Sequence, residues 1–331
     1  MTATATAVGR HQADHDADHQ SERRADRRAR KRRALLEGWG FAAPAIVLLS
    51  VFLVAPFVLA VYSSFTDQRL VPNPNLPTQW VGFRNYSRMF ADESFRAGLI
   101  FNAIFVIVVV PLQTAFALGL AILVNQKIRF RNGFRTIYFA PVAVTMVVVA
   151  VMWSFFFNPG SGLVNAVLDT VSFGYLTPER FGFLNWVLDS NGARAAIIIM
   201  SIWQGVGFQM VIYLAGLQAI PDSLYEAAEI DGATNVQKFR YVTIPQLRNT
   251  TIFVVLSTTI LAFALFDQVE IMTQGGPQDA TQTMILRLIS FGFRQGQVGL
   301  GSALGVFYFL LVVVIAFAQR RLLREERAVA S

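Results

Sequence analysis

Between two apolar segments the chain carries Tyr225-Glu226-Ala227-Ala228-Glu229-Ile230-Asp231-Gly232-Ala233, which runs on to Val242-Thr243-Ile244-Pro245. This charged stretch combines strong helix formers with a central glycine and a terminal proline. A loop that only connects two membrane spans needs no such order. The pattern therefore predicts a folded element on one surface of a bilayer, on which a partner acts.

The composition indicates a membrane protein. Of 331 residues, 54% are hydrophobic and only 15% are charged, with a mean hydropathy of +0.47. Soluble domains carry about 25% charged residues. The apolar residues form continuous runs of about 20 residues, the length of a transmembrane helix. Such runs lack the short alternating segments of a membrane β-barrel, so we expect an all-α integral membrane protein.

Six spans are predicted, near residues 39–62, 99–125, 136–157, 194–217, 250–273 and 300–319. Prolines lie in or beside three of them and predict kinks: Pro44, Pro56, Pro111 and Pro141. Gly301 and Gly305 form a G-x-x-x-G pattern at the start of the last span, which favours close helix packing. The domain prediction is a disordered basic tail at 1–33, a membrane domain at 34–320 with the loop 219–249, and a tail at 321–331.

The basic residues predict the orientation. With six spans, one side carries the block at residues 23–33 and three further groups. These are Lys127, Arg129, Arg131 and Arg135; Lys238, Arg240 and Arg248; and Arg320, Arg321, Arg324 and Arg327. The positive-inside rule places that side, both termini and the 219–249 loop in the cytoplasm.

Several kinds of chemistry are excluded or disfavoured. The chain has no cysteine, and its three histidines, His11, His15 and His19, all lie in the N-terminal tail. Their spacing of four would align them on a helix, so a metal site there is an alternative to a solvated tail. No metal site is predicted in the spans. The chain contains no Gly-Lys dipeptide and therefore no P-loop, so any ATP hydrolysis occurs on another polypeptide.

Two surface segments have predicted structures. Aromatic residues at spacings of three to four favour an amphipathic interfacial helix over residues 85–98, with an extended loop as the alternative. In the 219–249 loop, Asp222 or Ser223 is the expected N-cap of a short helix that ends at Gly232. A second helix is expected over residues 235–241, and Pro245 introduces the next span.

The quoted loop resembles the EAA loop of the permeases of binding-protein-dependent ABC importers. Glu226-Ala227-Ala228, three residues, Gly232, nine residues and then Val242-Thr243-Ile244-Pro245 follow the family spacing; the family ends Ile-x-Leu-Pro. The resemblance implies a type I permease fold in a prokaryotic cytoplasmic membrane, with a coupling helix that docks on a cytoplasmic ATPase subunit. The implied coupling residues are Tyr225, Glu226, Ala227, Ala228, Asp231, Gly232 and Ala233.

A finer resemblance extends over roughly residues 40–320. Residues 80–86 before the second span, Phe266-Asp267, and residues 272–277 are similar to the sugar-importer branch of that family. They resemble the subunit of the maltose and glycerol-3-phosphate group that pairs with a distinct second permease. The implied partners are that permease, two ATPase subunits that hold ATP and Mg²⁺, an extracytoplasmic solute-binding protein and membrane lipid, with no nucleic acid.

Polar side chains inside the spans are candidates for a solute path, because placing a polar group in a bilayer costs free energy and such residues usually have a function. A sugar path needs hydrogen-bonding groups and aromatic faces. The candidates are Asn102, Gln113, Trp153, Trp203, Gln204, Gln209, Tyr213, Asp267, Gln268 and Glu270. Each of three pairs has an alternative role. Trp153 and Trp203 could anchor the helices at the membrane interface, and Gln204 and Gln209 could form hydrogen bonds between helices. Asp267 and Glu270 could lie in water at the level of the lipid headgroups.

The predicted function is the permease subunit of an ATP-driven sugar or oligosaccharide importer that works by alternating access. One alternative is a membrane glycosyl or phosphoryl transferase that uses Asp267 and Glu270 as acid and base. A second is a proton-coupled secondary transporter or channel that uses the same carboxylates. Inverted repeats would support the transporter, and the sequence shows no convincing internal symmetry.

Overall fold

The computed structural model describes residues 39–72, 75, 77–126 and 129–325, and this part of the chain is built from helices joined by turns. The predicted all-α class is confirmed. The predictions for the N-terminal tail, including its histidines and the basic block at 23–33, lie outside the described residues, as do Lys127 and Arg327. The chain clusters into two units, Met1–Leu59 and Ala60–Ser331, and the features below belong to the second unless α1 is named.

Fourteen helices are described, five of which contain or directly adjoin a π-turn or 3-10 turn. In chain order they are α1 (Trp39–Ser64), α2 (Arg84–Ala91), α3 (Glu93–Asn125), α4 (Arg131–Phe139), α5 (Met146–Phe156), α6 (Leu163–Val171), α7 (Ser190–Gln218), α8 (Asp222–Ile230), α9 (Asn235–Lys238), α10 (Ile244–Gln246), α11 (Arg248–Phe263), α12 (Asp267–Met272), α13 (Met284–Ile289) and α14 (Val298–Glu325). The helices α1, α3, α7 and α14 are each long and apolar enough to cross a membrane.

The third predicted span is not one straight helix. α4, extended by a 3-10 turn at Ala140–Ala143, and α5 meet at 99°. Pro141 lies in that turn, and Val144 and Thr145 have extended backbone, which ends the helical hydrogen bonding before α5 begins. The predicted range 136–157 is therefore corrected to a bent pair of helices.

The fifth predicted span is also interrupted. α11 has 16 residues, about 24 Å at 1.5 Å per residue, which is shorter than the roughly 30 Å hydrocarbon layer. The chain then leaves the helix at Ala264–Phe266, where Phe266 has φ −143° and ψ −65°, and resumes as α12. The predicted range 250–273 thus contains a break that its continuous apolar character did not reveal.

Two long helices, α3 and α7, pack side by side along their lengths and form the centre of the fold. At one end Ala121 and Val124 of α3 pack with Leu217 of α7 and with Leu247 of the loop between α7 and α11. At the other end Phe101 and Phe105 pack with α7 residues near Ile197. We call the first end the loop end, since it carries residues 219–247, and the other the distal end, which carries residues 65–72, 77–92 and 273–297.

The distal end is closely packed. Gly301 of α14 lies so near the π-turn after α13 that an added Cβ would be 2.8 Å from Cα of Gly292, which confirms close packing at the G-x-x-x-G pattern. Asp92 accepts two hydrogen bonds from Arg287, at 3.0 and 2.6 Å. Asp92 also caps α3 by accepting from the Phe95 N–H, so the predicted helix 85–98 is broken there into α2 and α3.

Gly207 supplies a test of the packing between α7 and the bent pair. A Cβ at residue 207 would lie 2.1 Å from the carbonyl oxygen of Tyr138, a backbone atom that cannot turn aside. We expect Gly207→Ala to destabilise the protein by about 1–3 kcal/mol through overpacking. Thermal unfolding of the purified chain in detergent measures the effect.

Gly119→Ala is the matched control, since nothing lies within 4 Å of a Cβ at that position of α3. Its unfolding temperature should be unchanged or higher, because alanine favours a helix over glycine by about 1 kcal/mol. Equal unfolding temperatures for the two variants would contradict the packing described for α7.

Candidate functional site

A cavity of about 350 Å³ lies among the helices α3, α5, α7, α11 and α12. Its polar lining consists of Gln113, Ser201, Gln204, Gln209, Ser257, Thr258, Asp267 and Gln268. Phe105, Met146 and Phe208 add apolar and aromatic surface. Hydroxyls, amides and aromatic faces together match the chemistry that a sugar ring presents.

Half of the predicted path residues meet at this cavity. Gln113 comes from α3, Gln204 and Gln209 from α7, and Asp267 and Gln268 from α12. The break at Ala264–Phe266 is what turns α12, so that its first two residues reach the same space as the middle of α7. A continuous span 250–273 would not account for this meeting.

The other five predicted path residues lie away from the cavity. Asn102 is buried and its Oδ1 accepts from the Met284 N–H at 3.0 Å. Trp153 and Trp203 pack against each other with ring centroids 5.5 Å apart. Tyr213 of α7 is fully buried in the core shared with α3, and Glu270 forms an ion pair with Arg294 at the distal end. These contacts suit structural roles.

Hydrogen bonding divides the cavity side chains into two groups. The Nε2 of Gln209 donates to Thr258 Oγ1 at 2.5 Å, and the Nε2 of Gln268 donates to Ser201 Oγ at 3.4 Å. Within the described part of the chain, Gln113, Gln204 and Asp267 have no hydrogen-bond or ion-pair partner. The Oε1 of Gln209 is buried and likewise unpartnered. The cavity thus presents free donors and acceptors.

Close helix approach helps to position Gln113. Its amide lies over the backbone of α7 at Gly205, where an added Cβ would be 2.2 Å from Nε2. A side chain at residue 205 would therefore displace the amide. Glycine at this position lets α3 and α7 approach while the glutamine reaches the cavity.

Sequence reasoning missed twelve of the lining residues, among them three polar residues, Ser201, Ser257 and Thr258, and three large apolar ones, Phe105, Met146 and Phe208. A signal for two of them was present. Ser201, Gln204 and Phe208 follow each other at three and four residues, so they share one face of α7 with a residue already chosen. Ser257 and Thr258 lack such a guide, because the side of α11 that faces the cavity follows from its tertiary packing.

The loop between α7 and α11 forms two short helices joined at a left-handed glycine. Gly232 has φ +75°, and the N–H of Ala233 donates back to the carbonyl of Ala228 at 2.9 Å, which ends α8. Thr234 then caps α9 in a capping box with Gln237. The predicted cap at Asp222 or Ser223 is wrong, since α8 begins after Pro221 without a side-chain cap.

One face of this loop is held to the helices and another is exposed. The hydroxyls of Tyr225 and Thr243 are 3.0 Å apart, Tyr225 packs against the core shared by α3 and α7, and Glu229 pairs with Lys238 at 2.6 Å. Ile230, Val236 and Tyr241 are 87%, 75% and 70% exposed. The loop is therefore fixed to the ends of the long helices while it presents apolar side chains outward.

Comparison with known proteins gives consistent matches. Residues 113–327 match the family described as "Binding-protein-dependent transport system inner membrane component". A probable ABC transporter permease protein of Pyrococcus horikoshii is 34% identical over 276 residues, which cover 83% of this chain and 91% of the relative. The trehalose/maltose transport system permease protein of Thermococcus litoralis is 31% identical, with 86% and 92% covered.

The fold has a solved counterpart. Two structures of a bacterial ABC transporter that imports the acidic polysaccharide alginate match with a TM-score of 0.74 at 21% identity. They cover 89% of this chain and 96% of theirs, and one contains an alginate pentasaccharide-bound periplasmic protein. From the family match over residues 113–327 and the relatives over most of its length, the chain belongs to the multi-pass inner membrane components of binding-protein-dependent ABC importers.

Proposed function

We propose that this chain is a permease subunit that carries a sugar or small oligosaccharide through the cavity lined by α3, α7, α11 and α12. The observation that carries the proposal is the set of unpartnered polar side chains that share the cavity: Gln113 and Gln204 on helices long enough to span the membrane, and Asp267 on the short helix α12. Polar groups of this kind are costly in a bilayer unless water or a solute meets them. The trehalose and maltose named for one relative support a sugar as the solute.

The α8–α9 loop is the proposed coupling element. The Glu229–Lys238 pair holds α8 to α9, and Tyr225 packs against the core of the loop end, so a force on the exposed face of the loop is passed to the long helices. Its exposed apolar residues, Ile230 and Val236, suit a groove on an ATPase subunit. Tyr225, Glu226, Ala227, Ala228, Asp231, Gly232 and Ala233 remain the proposed coupling residues.

The proposed assembly contains a second, similar permease, two cytoplasmic ATPase subunits and a solute-binding protein on the other side. ATP and Mg²⁺ bind to the ATPase subunits. The loop end and both termini face the cytoplasm of a prokaryotic cell, because Arg129, Arg131 and Arg240 lie at the loop end. The proposed domain division is an N-terminal tail at 1–33, a membrane domain at 34–320 and a C-terminal tail at 321–331.

The structure gives little support to acid–base chemistry between Asp267 and Glu270. Glu270 is paired with Arg294, and only Asp267 lines the cavity. A transferase or a proton-coupled carrier that used the two carboxylates together would need both in one site. The importer therefore remains the function that the geometry supports best.

Replacement of exposed residues in the α8–α9 loop tests the coupling role. Ile230→Ser removes an apolar contact worth about 1.5–3 kcal/mol when buried, which corresponds to about tenfold or more in Kd. Gly232→Val strains a left-handed position, and Glu226→Ala removes a charge from the same surface. We expect each variant to insert normally, to retain about a tenth of the co-purifying ATPase subunit, and to lose ATPase stimulation.

Val171→Ser is the matched control, because Val171 is exposed on α6, far from the loop in the chain. This variant should keep its ATPase partner. Wild-type co-purification and stimulation in all three loop variants would argue decisively against coupling through α8 and α9.

Gln204→Leu tests the route of the solute. The variant removes one neutral hydrogen-bonding group from the cavity, so we expect the uptake rate to fall about fivefold, the equivalent of about 1 kcal/mol. ATPase co-purification should be unchanged. The measurement is uptake into vesicles that contain the complete importer, with a sugar chosen by its thermal stabilisation of the binding protein.

Gln79→Leu makes the same chemical change at an exposed position outside the cavity and should leave uptake unchanged. Equal uptake rates for Gln204→Leu and the wild type would show that the solute does not pass this side chain.

A further inference from the structure

A second polar cavity, of about 280 Å³, lies at the distal end. Its charged side chains are Asp67, Arg69 and Arg88, and amides from Gln68, Gln295 and Gln297 add donors and acceptors. It shares no lining residue with the cavity of the proposed solute route. Two guanidinium groups beside one carboxylate give this cavity both signs of charge.

Hydrogen bonds fix the walls of this cavity. The Gly299 N–H donates to the carbonyl oxygen of Gln68 at 2.9 Å. The Leu70 N–H donates to the carbonyl oxygen of Gly296 at 2.8 Å. The buried Asn85 donates through Nδ2 to the carbonyl oxygens of residues 64 and 66, at 2.9 and 2.7 Å. The two chain segments that form the walls are therefore held together without a ligand.

Some of the charged groups in the cavity have no partner. Within the described part of the chain, Arg69 has no hydrogen-bond or ion-pair partner. Asp67 accepts the Gln79 N–H through Oδ1 at 2.6 Å, and its Oδ2 is free among the described residues. The Nη2 of Arg88 donates to Gln297 Oε1 at 3.0 Å. A ligand with one negative and one positive group would satisfy both kinds of charge.

The cavity lies where α1 ends and α14 begins, and both helices are long enough to cross a membrane. α1 ends at Ser64, three residues before Asp67. Gln297 directly precedes Val298, the first residue of α14. The charged groups are therefore close in the chain to the ends of two spans, where a bilayer gives way to water.

An exposed aromatic cluster marks the same level. Trp80 stacks on Phe65 with ring centroids 5.3 Å apart, and the ring of Tyr62 is 5.9 Å from that of Trp80. Trp80 and Tyr62 are exposed, and Trp80 forms a β-bridge with Thr66, the neighbour of Asp67. Tryptophan and tyrosine are enriched where a membrane meets water. The cavity thus lies at the level of the lipid headgroups.

We infer that this cavity binds the headgroup of a phospholipid that carries both a phosphate and a primary ammonium, as phosphatidylethanolamine does. Arg69 and Arg88 donate charge-assisted hydrogen bonds to the phosphate, and the free oxygen of Asp67 accepts from the ammonium. The acyl chains lie against α14, whose exposed residues Leu310, Val314 and Phe317 share one apolar face. This lipid site is independent of the route that the solute takes.

A loop of the solute-binding protein is the other occupant that a polar cavity at this end could hold. The lipid is favoured because the cavity adjoins an aromatic cluster of the interfacial kind and the start of an apolar span. A headgroup reaches this level while its acyl chains stay in the bilayer.

Protection of a thiol in the cavity tests the site, because the chain contains no native cysteine. Gln295→Cys places one thiol in the lining. The complete importer is placed in nanodiscs of phosphatidylcholine, alone or mixed with phosphatidylethanolamine, and an uncharged methanethiosulfonate labels this chain. Phosphatidylcholine is the matched lipid, since its quaternary ammonium has no N–H to donate. We expect labelling to be about threefold slower with phosphatidylethanolamine, as for a ligand at about twice its Kd.

Second substitutions show which groups hold the headgroup. Asp67→Asn should abolish the protection, because asparagine can still accept from the Gln79 N–H but has no charge for the ammonium. Arg69→Gln combined with Arg88→Gln should abolish it through loss of the phosphate. The matched changes Arg96→Gln and Asp169→Asn, at exposed positions outside the cavity, should leave it intact.

A thiol at Ser161→Cys, exposed and outside the cavity, should be labelled at one rate in both lipid mixtures. Equal rates at position 295 in the two mixtures, or protection that persists in Asp67→Asn, would overturn the lipid site. Protection that appears only when the solute-binding protein is added, whatever the lipid, would assign the cavity to that protein instead. The labelling needs no transport, so its failure is distinct from normal uptake by Gln204→Leu, which removes only the solute route.

Discussion

Polar side chains inside a bilayer must find partners or face water, and the membrane part of this chain is organised by that requirement. Asn102 and Gln209 each meet it in part: the Oδ1 of Asn102 accepts from a backbone N–H, and the Nε2 of Gln209 donates to Thr258. Gln113, Gln204 and Asp267 face a shared cavity. Their position on different helices supports the proposal that the cavity is a solute route, because empty cavities in proteins are apolar.

The interruptions of the helices serve the same cavity. α5 begins after the 99° bend at Pro141 and contributes Met146, and α12 begins after the break at Ala264–Phe266 and contributes Asp267 and Gln268. Irregular backbone at membrane depth is tolerated where it lines a cavity or is buried in protein. The two broken spans are therefore features of the proposed route, and the continuous pair α3 and α7 packs beside them.

Much of this structure follows from the sequence, and the rest depends on tertiary packing. Apolar runs located four continuous spans, and the helix–glycine–helix pattern located the α8–α9 loop, since both signals are local. The bend at Pro141 was signalled by a proline, but no residue type marks the break at Ala264–Phe266. The sequence marks the polar residues in the spans as unusual for a membrane helix. Only three-dimensional packing distinguishes Gln204, which faces the cavity, from Asn102, which accepts a hydrogen bond from the backbone of α13.

The central claim is that the cavity opens to one side of the membrane at a time under the control of a partner at the loop end. The most direct test is the Gln204→Cys variant, whose single thiol is labelled with a membrane-impermeant maleimide added to one side of sealed vesicles. The account predicts that the labelled side switches when ATP is bound and trapped on the partner subunits. Labelling from the same side in both states, or from neither side, would contradict the account.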